Sequence, residues 1–507
     1  MKHIIIFLVI FIILSTLCYA QEPQGYIEYK EDKTIVRVWG THYERGYAQG
    51  YLLCNGIIDI FSTYFLGYIF GNNAAIYNNT RSIFVTSFSV DALYQTEGEG
   101  LLDGIVAAGQ SLYNNVLGRD IDVTDLMMCN SIVDYTDENN LFSCNDLCSS
   151  LASWGSSTSS SPELLGESII TRFLDWTPHQ ALMENHLLLV SFPSEPDEQN
   201  WISFTFPGLI GCLSAVNEGK VGSFYNVGNI DSYDPTDTFN PIFLSIRNGI
   251  ESADYDGNGQ CNPMDVVKAV SDDVQRSGSI MNVISPTEKD SFSLVIECNN
   301  MNGVMVRNKD DNTLIAGDNL AATNHFRKLY APVYCYRYDH IADSLDMTTV
   351  INPTRSWDLL SGAAGTSTNI QAIQYIPSTG AILWSTKTGS YPAYKEAPTS
   401  FTTDELFDYV GIDDPNTPHA DYLTIHEISP NPVFDNVTIR FFCRYDSNID
   451  LSIYDVKGRL MQRNAHHVVQ GENEILLNFD KHVTSGFYFV KLGSNGDTEL
   501  RKILVVR

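Results

Sequence analysis

Cys148-Ser149-Ser150-Leu151-Ala152-Ser153-Trp154-Gly155, followed by Ser168-Ile169-Ile170-Thr171-Arg172-Phe173-Leu174-Asp175-Trp176, is the stretch on which the reading of this chain turns. The second segment reads as a strand, so a small thiol is followed at short range by an arginine and an aspartate on an extended element. Arg172 and Asp175 are an odd number of residues apart. A regular strand would place them on opposite faces, and bringing both to one thiol requires a local bend or bulge. A nucleophilic cysteine also needs a base, a group to orient it, and donors for the oxyanion on the attacked carbonyl.

Upstream, Met1-Lys2-His3, an apolar run from Ile4 to Leu14 and Ala20 at the exit predict a cleaved signal peptide over residues 1–20. The apolar run is short for a bilayer span, and Leu17 is larger than the residue that usually precedes a lipid-bearing cysteine such as Cys18 would be. The mature chain is therefore expected to be soluble after export. With 61 acidic and 31 basic residues the net charge is −30, which repels phosphate backbones and makes nucleic acid an unsuitable partner. A length of 507 residues predicts two domains or more. Beyond the leader, cysteines stand at 54, 129, 144, 148, 212, 261, 298, 335 and 443. In an oxidising compartment this odd number leaves at least one free thiol, for which Cys148 is the candidate. No Cys/His spacing suggests a zinc site.

From Ile35 to about Trp384 apolar strands alternate with helical stretches. The Asp/Pro/Thr-rich interval after Glu396 reads as an acidic helix, Asp404–Val410, and a linker over 401–419, which bounds one domain at 21–400 and another at 420–507. In the second, Thr424–Ile428, Val437–Phe442, Ile449–Asp455, Glu474–Phe479, Gly486–Leu492 and Glu499–Val506 alternate with period two, predicting a small all-β sandwich. Ser429-Pro-Asn-Pro-Val433, Leu451-Ser-Ile-Tyr-Asp-Val-Lys-Gly-Arg-Leu460, Ser485-Gly-Phe-Tyr-Phe-Val-Lys-Leu492 and Lys502-Ile-Leu-Val-Val-Arg507 resemble, in order, four blocks of the C-terminal sorting domain of the type IX (Por) secretion system. That resemblance implies an immunoglobulin-like sandwich, engagement of the type IX machinery, and a Bacteroidetes-like outer-membrane route to the cell surface or exterior. A generic immunoglobulin-like module for carbohydrate or protein contact is the alternative.

The thiol-bearing region resembles the choloylglycine hydrolase and penicillin acyltransferase-like (peptidase C45-like) group of N-terminal-nucleophile hydrolases. Gly40-Thr-His-Tyr-Glu-Arg-Gly-Tyr-Ala-Gln-Gly50 is similar to that group's strand-to-helix motif; its glycines suit the turn, and Tyr43, Tyr47 and Tyr51 recur at helical spacing as a packing face. Ser168–Trp176 is similar to the group's Gly-Arg-Asn-x-Asp-Trp strand, with Phe173 in place of the usual Asn. Phe206–Asn226 reads as a strand, an Asn217-Glu-Gly-Lys turn and a return strand, and Asn226 matches the group's oxyanion-binding Asn. Ala321-Ala-Thr323-Asn324-His325 resembles a further block, in which Asn324 is a second oxyanion or substrate-amide donor and His325 is structural. Arg337 of Tyr336-Arg337-Tyr338 falls where relatives carry Ser-x-x-Arg, although position 334 is Tyr; it is a substrate-binding candidate, with Arg355 in competition.

The resemblance implies an α+β fold, a four-layer αββα sandwich with antiparallel sheets at its centre, over 21–400. It implies self-cleavage before Cys148, which makes 21–147 a pro-segment and frees an α-amine of reference pKa roughly 7.7–8.0 to take the thiol's proton. Arg172 would lie near the thiol and Asp175 would hold the α-ammonium. The implied substrate is a small linear N-acyl amide, hydrolysed or transferred through a thioester with no catalytic cofactor. An ester-cleaving phospholipase B-like enzyme and an inactive cell-surface binding or adhesion protein remain open.

A separate motif, Asp254-Tyr-Asp256-Gly-Asn258-Gly259-Gln260-Cys-Asn262-Pro-Met-Asp265, puts oxygen-bearing side chains at calcium-loop positions with Gly at the sixth. Asp254, Asp256, Asn258, Gln260, Asn262 and Asp265 are the expected ligands of a structural Ca2+ in an insertion over 254–265. An acidic surface turn is the simpler reading.

Overall fold

All seven residues of strand Ile169–Asp175 are buried, because it lies inside a sheet covered on both faces; that is why its apolar run does not alternate. In the computed structural model it belongs to a six-stranded sheet in the order Asn319–Ala322, Ser149–Ser153, Ile169–Asp175, Asn369–Ile376, Ala381–Thr386, Thr399–Thr402, antiparallel throughout. A second sheet of nine strands runs from Gly25–Lys30 through Lys33–Gly40, Leu187–Pro193, Trp201–Thr205, Ser214–Asn217, Gly222–Val227, Ser279–Ile284 and Ser293–Asn299 to Gly303–Arg307. Lys33–Gly40 and Leu187–Pro193 pair in parallel. The remaining neighbours in this sheet are antiparallel.

Ile35, Val190, Phe204 and Phe224 of the nine-stranded sheet share one core with Ala152, Ile170, Ile373 and Trp384 of the six-stranded sheet. The other face of the nine-stranded sheet carries helices, with Val36, Leu187 and Tyr225 clustered with Phe61, Tyr77, Leu101 and Ile246. Leu151, Ile169 and Phe173, on the other face of the six-stranded sheet, pack with Ile341, Leu345, Leu359 and Leu360 of helices Tyr336–Met347 and Pro353–Ala363. The chain is thus a mixed α/β protein with several sheets. Described are residues 22–135, 148–228, 233–311, 314–408, 423–434, 436–443, 447–455, 459–469, 471–479, 483–494 and 497–506. The expected leader 1–20, Leu147, and most of the expected linker lie outside them.

Helix His42–Asp59 begins at a capping box between Thr41 and Glu44 and runs on into a π-helical segment, Ile60–Ile69. It meets helix Ala92–Ala107 almost backbone to backbone. A Cβ on Gly50 would fall 2.0 Å from the Leu101 carbonyl oxygen, and one on Gly104 2.1 Å from that of Tyr47. Of the motif's glycines only Gly40, at φ +98°, serves the turn; Gly46 and Gly50 are required by the helix contact, which corrects the sequence reading. Tyr47 stacks at 6.4 Å on both Tyr43 and Tyr51. The same helix supplies His42 and Arg45 to a buried ionic network. His42 contacts Glu97 at 2.7 Å and Glu198 at 2.9 Å, Arg45 contacts Glu198 and Glu251, and Arg247 contacts Glu97 and Glu251. Burial works against the His42 charge, but hydrogen bonds donated to Glu198 and Glu97 push its pKa up to about 9.

The chain divides into two compact units, Met1–Phe407 and Asp408–Arg507. The second holds a three-stranded sheet, Leu423–Ser429, Asn436–Cys443, Gly471–Asn478, and a four-stranded sheet, Leu460–Val468, Ser447–Asp455, Gly486–Ser494, Asp497–Val505, around one apolar core. Strand Leu460–Val468 has no counterpart among the expected strands: it lies at a sheet edge, five of its nine residues are exposed and only Val468 is buried, so period-two alternation is missing. The helix expected at Asp404–Val410 is observed as Thr403–Phe407. Cysteines 54, 129, 148, 212, 261, 298 and 335 all carry free thiols, so being free does not single out Cys148; Cys144 is outside the described residues.

Candidate active site

Cys148 stands immediately before strand Ser149–Ser153, whose register places Ser150 opposite Arg172 and Ser149 opposite Phe173. Its backbone N–H donates to Asn324 Oδ1 at 2.8 Å. Asn324 follows strand Asn319–Ala322, the other neighbour of the Cys148 strand, and its Nδ2 donates to the Val227 carbonyl at 2.6 Å. Arg337, in the first turn of helix Tyr336–Met347, donates to Asn324 Oδ1 at 2.6 Å, to Ser149 Oγ at 3.2 Å and to the Cys148 carbonyl. Asn324 therefore turns its oxygen, not its nitrogen, toward Cys148.

Arg172 points between the sheets. Its Nη2 donates to the Tyr225 carbonyl at 2.7 Å and approaches Cys148 Sγ at 3.6 Å, while its Nε and Nη1 have no partner in a fully buried setting. Phe173 faces the opposite way, stacked on Tyr394 and edge-on to Trp357. Asp175 accepts from the Gly365 N–H at 2.8 Å and from Asn369 Nδ2 at 3.0 Å. On the neighbouring strand the register with Asp175 and Leu174 shifts between Asn369 and Gln371. Asn226 donates to Ser150 Oγ at 3.3 Å, as does Asn282, and its Oδ1 has no partner. Arg355 lies apart, bonded to the Ser344 and Thr348 carbonyls.

Burial raises the Cys148 pKa; Arg172, Arg337 and the Asp175 N–H oppose this without cancelling it, and the Asp175 charge adds to it. The thiol is thus protonated near neutrality and needs a base. Burial also pushes Asp175 up to about 6, against the Gly365 and Asn369 hydrogen bonds and the two arginines.

Cys148 and Arg172 line an apolar cavity that opens to the surface. Its other walls are almost wholly apolar. Ile57, Ile60, Phe61, Phe65, Leu126 and Ile132 come from upstream of Cys148; Leu174, Leu182, Phe206, Leu213, Val227 and Phe243 come from downstream. Arg172 is the one charged side chain among the described residues that line it. Such a chamber accepts a hydrocarbon chain, with the thiol and guanidinium marking where a polar group stops.

Sequence reasoning gives no role to Ser149, Gly365, Asn369 or Asn282; each is a common residue type whose meaning comes only from strand register. In the 254–265 loop the carboxylates of Asp254, Asp256 and Asp265 lie within 4.8 Å of one another. Asn262 and Asp265 form a capping box at the start of helix Pro263–Asp272, and Asp265 also accepts from the Asp256 N–H at 3.1 Å. Gln260 and Asn258 are exposed.

Among solved structures, the chain is similar to the Caenorhabditis elegans N-acylethanolamine-hydrolyzing acid amidase ortholog, at 16% identity and TM-score 0.33 over 50% of this chain and 99% of that one. It is similar to a mutant of conjugated bile acid hydrolase from Clostridium perfringens at 10% identity and TM-score 0.31, over 50% of this chain and 93% of that one. A third likeness, to dimeric latent PorU from Porphyromonas gingivalis, has 18% identity and TM-score 0.16 over 28% of this chain and 12% of that one. No curated protein matches in sequence. Residues 427–506 match the secretion system C-terminal sorting domain, so this chain carries a type IX sorting domain, through which it engages that machinery, and is a cell-surface or extracellular protein.

Proposed function

We propose that the unit upstream of the sorting domain is a four-layer αββα N-terminal-nucleophile hydrolase that cuts itself before Cys148 and then cleaves linear N-acyl amides, or transfers their acyl group. The observation that carries this reading is the position of Cys148: it heads an interior strand, lines the apolar cavity, and accepts from Arg172 at its sulfur and from Arg337 at its carbonyl. In self-processing, Sγ attacks the carbonyl carbon of Leu147, the C–N bond breaks as the nitrogen takes the thiol proton, leaving a thioester and a free Cys148 amine, and water then hydrolyses the thioester to release the thiol and the Leu147 carboxylate. That amine then takes the thiol proton. Sγ attacks the substrate carbonyl, the tetrahedral oxyanion collapses with expulsion of the protonated amine, and water or an acceptor amine resolves the thioester.

In this scheme Arg172 stabilises the thiolate, Asn226 donates to the oxyanion, and Asn324, through the oxygen that already receives the Cys148 N–H, orients the freed amine. Asp175 completes the amine's surroundings and Arg337 fixes Asn324. The cavity selects a long apolar acyl chain and leaves the amine portion outside. A structural Ca2+ on Asp254, Asp256 and Asp265 is proposed for the insertion; these three oxygen ligands fit a hard cation.

Intact mass of the secreted protein beside Cys148→Ala tests the scheme. Two chains in the wild type and one in the variant, with hydrolysis of N-acyl amides by the wild type alone, are expected. A single uncut chain in both would remove the amine base. Cleavage with turnover of esters but not amides would move the enzyme to the ester-cleaving reading.

A further inference from the structure

Ser150 lies two residues beyond Cys148 and opposite Arg172 in the ladder, so its hydroxyl points between the sheets as the guanidinium does. There it receives two carboxamides from the nine-stranded sheet. Asn226 Nδ2, on strand Gly222–Val227, and Asn282 Nδ2, on the adjacent strand Ser279–Ile284, each donate to Ser150 Oγ at 3.3 Å. Asn282 Nδ2 also donates to the Leu320 carbonyl at 3.3 Å, on the strand beside that of Ser150. All three side chains are fully buried. The next residue on the same face of each strand is Ala152, Phe224 or Ile280, and all of these belong to apolar cores. A hydroxyl and two carboxamides are costly to bury in such surroundings, so packing alone gives no reason for them. The bond to Ser150 is the one hydrogen bond that the Asn226 side chain makes among the described residues, and its Oδ1 has no partner.

We propose that Ser150 is a positioning residue for Asn226, with Asn282 holding the Ser150 hydroxyl in turn. A carboxamide is planar and carries two N–H groups. With one of them anchored on Ser150 Oγ, the direction of the other is set, and this second N–H is the one that Asn226 gives to the oxyanion. Without the hydroxyl the amide keeps no side-chain bond and turns about its last torsion, which is broad and roughly two-fold. It then presents oxygen as readily as nitrogen to the developing negative charge. The inference rests on the reading of Asn226 as oxyanion donor for its kinetic consequence, though not for the anchoring itself. The cavity that receives the acyl chain is lined by none of the three, so kcat suffers while KM is left alone.

A double-mutant cycle on a long-chain N-acyl amide tests this, together with the side-chain amide resonances of the full chain labelled at asparagine nitrogen. Asn226→Ala should lower kcat about 100-fold and Ser150→Ala about tenfold, each with KM changed less than about twofold. The double variant should be no slower than Asn226→Ala alone. Ser150→Thr, which keeps the hydroxyl, should recover most of the loss. The Asn226 amide signal, identified by its disappearance in Asn226→Ala, should shift in Ser150→Ala and return in Ser150→Thr. Unchanged kcat in Ser150→Ala would overturn the proposal, as would a double variant slowed by the product of the two single effects, or an Asn226 signal indifferent to loss of the hydroxyl. Should Ser150→Ala fold poorly, Asn282→Ala takes its place in the cycle with the same two readings. A wild type without amidase activity would sink the proposed reaction, and the amide resonances would still decide whether Ser150 anchors Asn226.

Discussion

Cys148 and Asn324, 176 residues apart in sequence, are joined by a 2.8 Å hydrogen bond from the cysteine's backbone nitrogen to the asparagine's side-chain oxygen. The nitrogen concerned is the one that self-cleavage would convert to an amine. With Arg337 on the same oxygen at 2.6 Å, Asn324 cannot rotate its nitrogen inward without losing both bonds. Asn324→Ala should therefore lower turnover about 100-fold and slow appearance of the two-chain form. Asn324→Asp, which keeps both acceptor bonds, should retain more of each; gel-resolved processing and steady-state kinetics measure the two effects.

The cavity makes a prediction about chain length. Ile132→Trp places an indole in the apolar chamber that Cys148 and Arg172 also line. The longest acyl chain accepted should shorten, with KM for long-chain substrates rising about tenfold or more and short-chain substrates affected little. A series of acyl chain lengths at fixed amine reads this directly.

Asp175 is pushed up to about 6 by burial, whereas an unfolded aspartate titrates near 3.9. A raised carboxyl pKa favours folding while the group is protonated, and this contribution is lost as pH rises from about 4 through 6. Asp175→Asn should remove that loss, so its stability relative to wild type should rise across this window, by about 2–3 kcal/mol at pH 7.5. Urea melts at pH 4.5 and 7.5 on both proteins isolate the difference. Activity should fall in the variant, since the amine loses its anionic neighbour.

Gly50→Ala tests the helix contact. The added methyl would meet the Leu101 carbonyl at 2.0 Å, an overpacking that costs about 1–3 kcal/mol. A lowered thermal midpoint is expected.

Calcium, if held by Asp254, Asp256 and Asp265, should raise the thermal midpoint by mass action. Millimolar Ca2+ should give a reproducible upward shift in the wild type and none in Asp254→Ala. Scanning calorimetry with a chelator control measures it.

What can be read in the sequence follows from how local each signal is. Alternation in Val437–Phe442 and Gly486–Leu492 announces strands because one face is buried and the other wet. The polar edge strand Leu460–Val468 carries no such mark. Arg172 and Asn324 can be picked out as residue types near a thiol, but their partners cannot. Which oxygen Arg337 binds, and that Asn369 bonds Asp175, depend on strand register and on a shift in it. Thr323 and Cys335 are twelve residues apart and meet because the chain between them turns back, which periodicity does not report. The glycines of 40–50 are visible, yet their main role is not, since the helix–helix contact with Gly104 is set by a second helix fifty residues away.

Strands Gly25–Lys30 and Lys33–Gly40 form one edge of the nine-stranded sheet, and nine of the 22 described residues lining the cavity precede Cys148. Severing the backbone at that cysteine would consequently release no inhibitor. The upstream piece would stay as a second chain of a nicked protein, interlocked with its sister by ladder hydrogen bonds and the His42 ion network. Fragments made separately would each lack part of the interior. Assembly must therefore come before scission, and the nick would be easy to make but hard to rebuild once the pieces were unfolded.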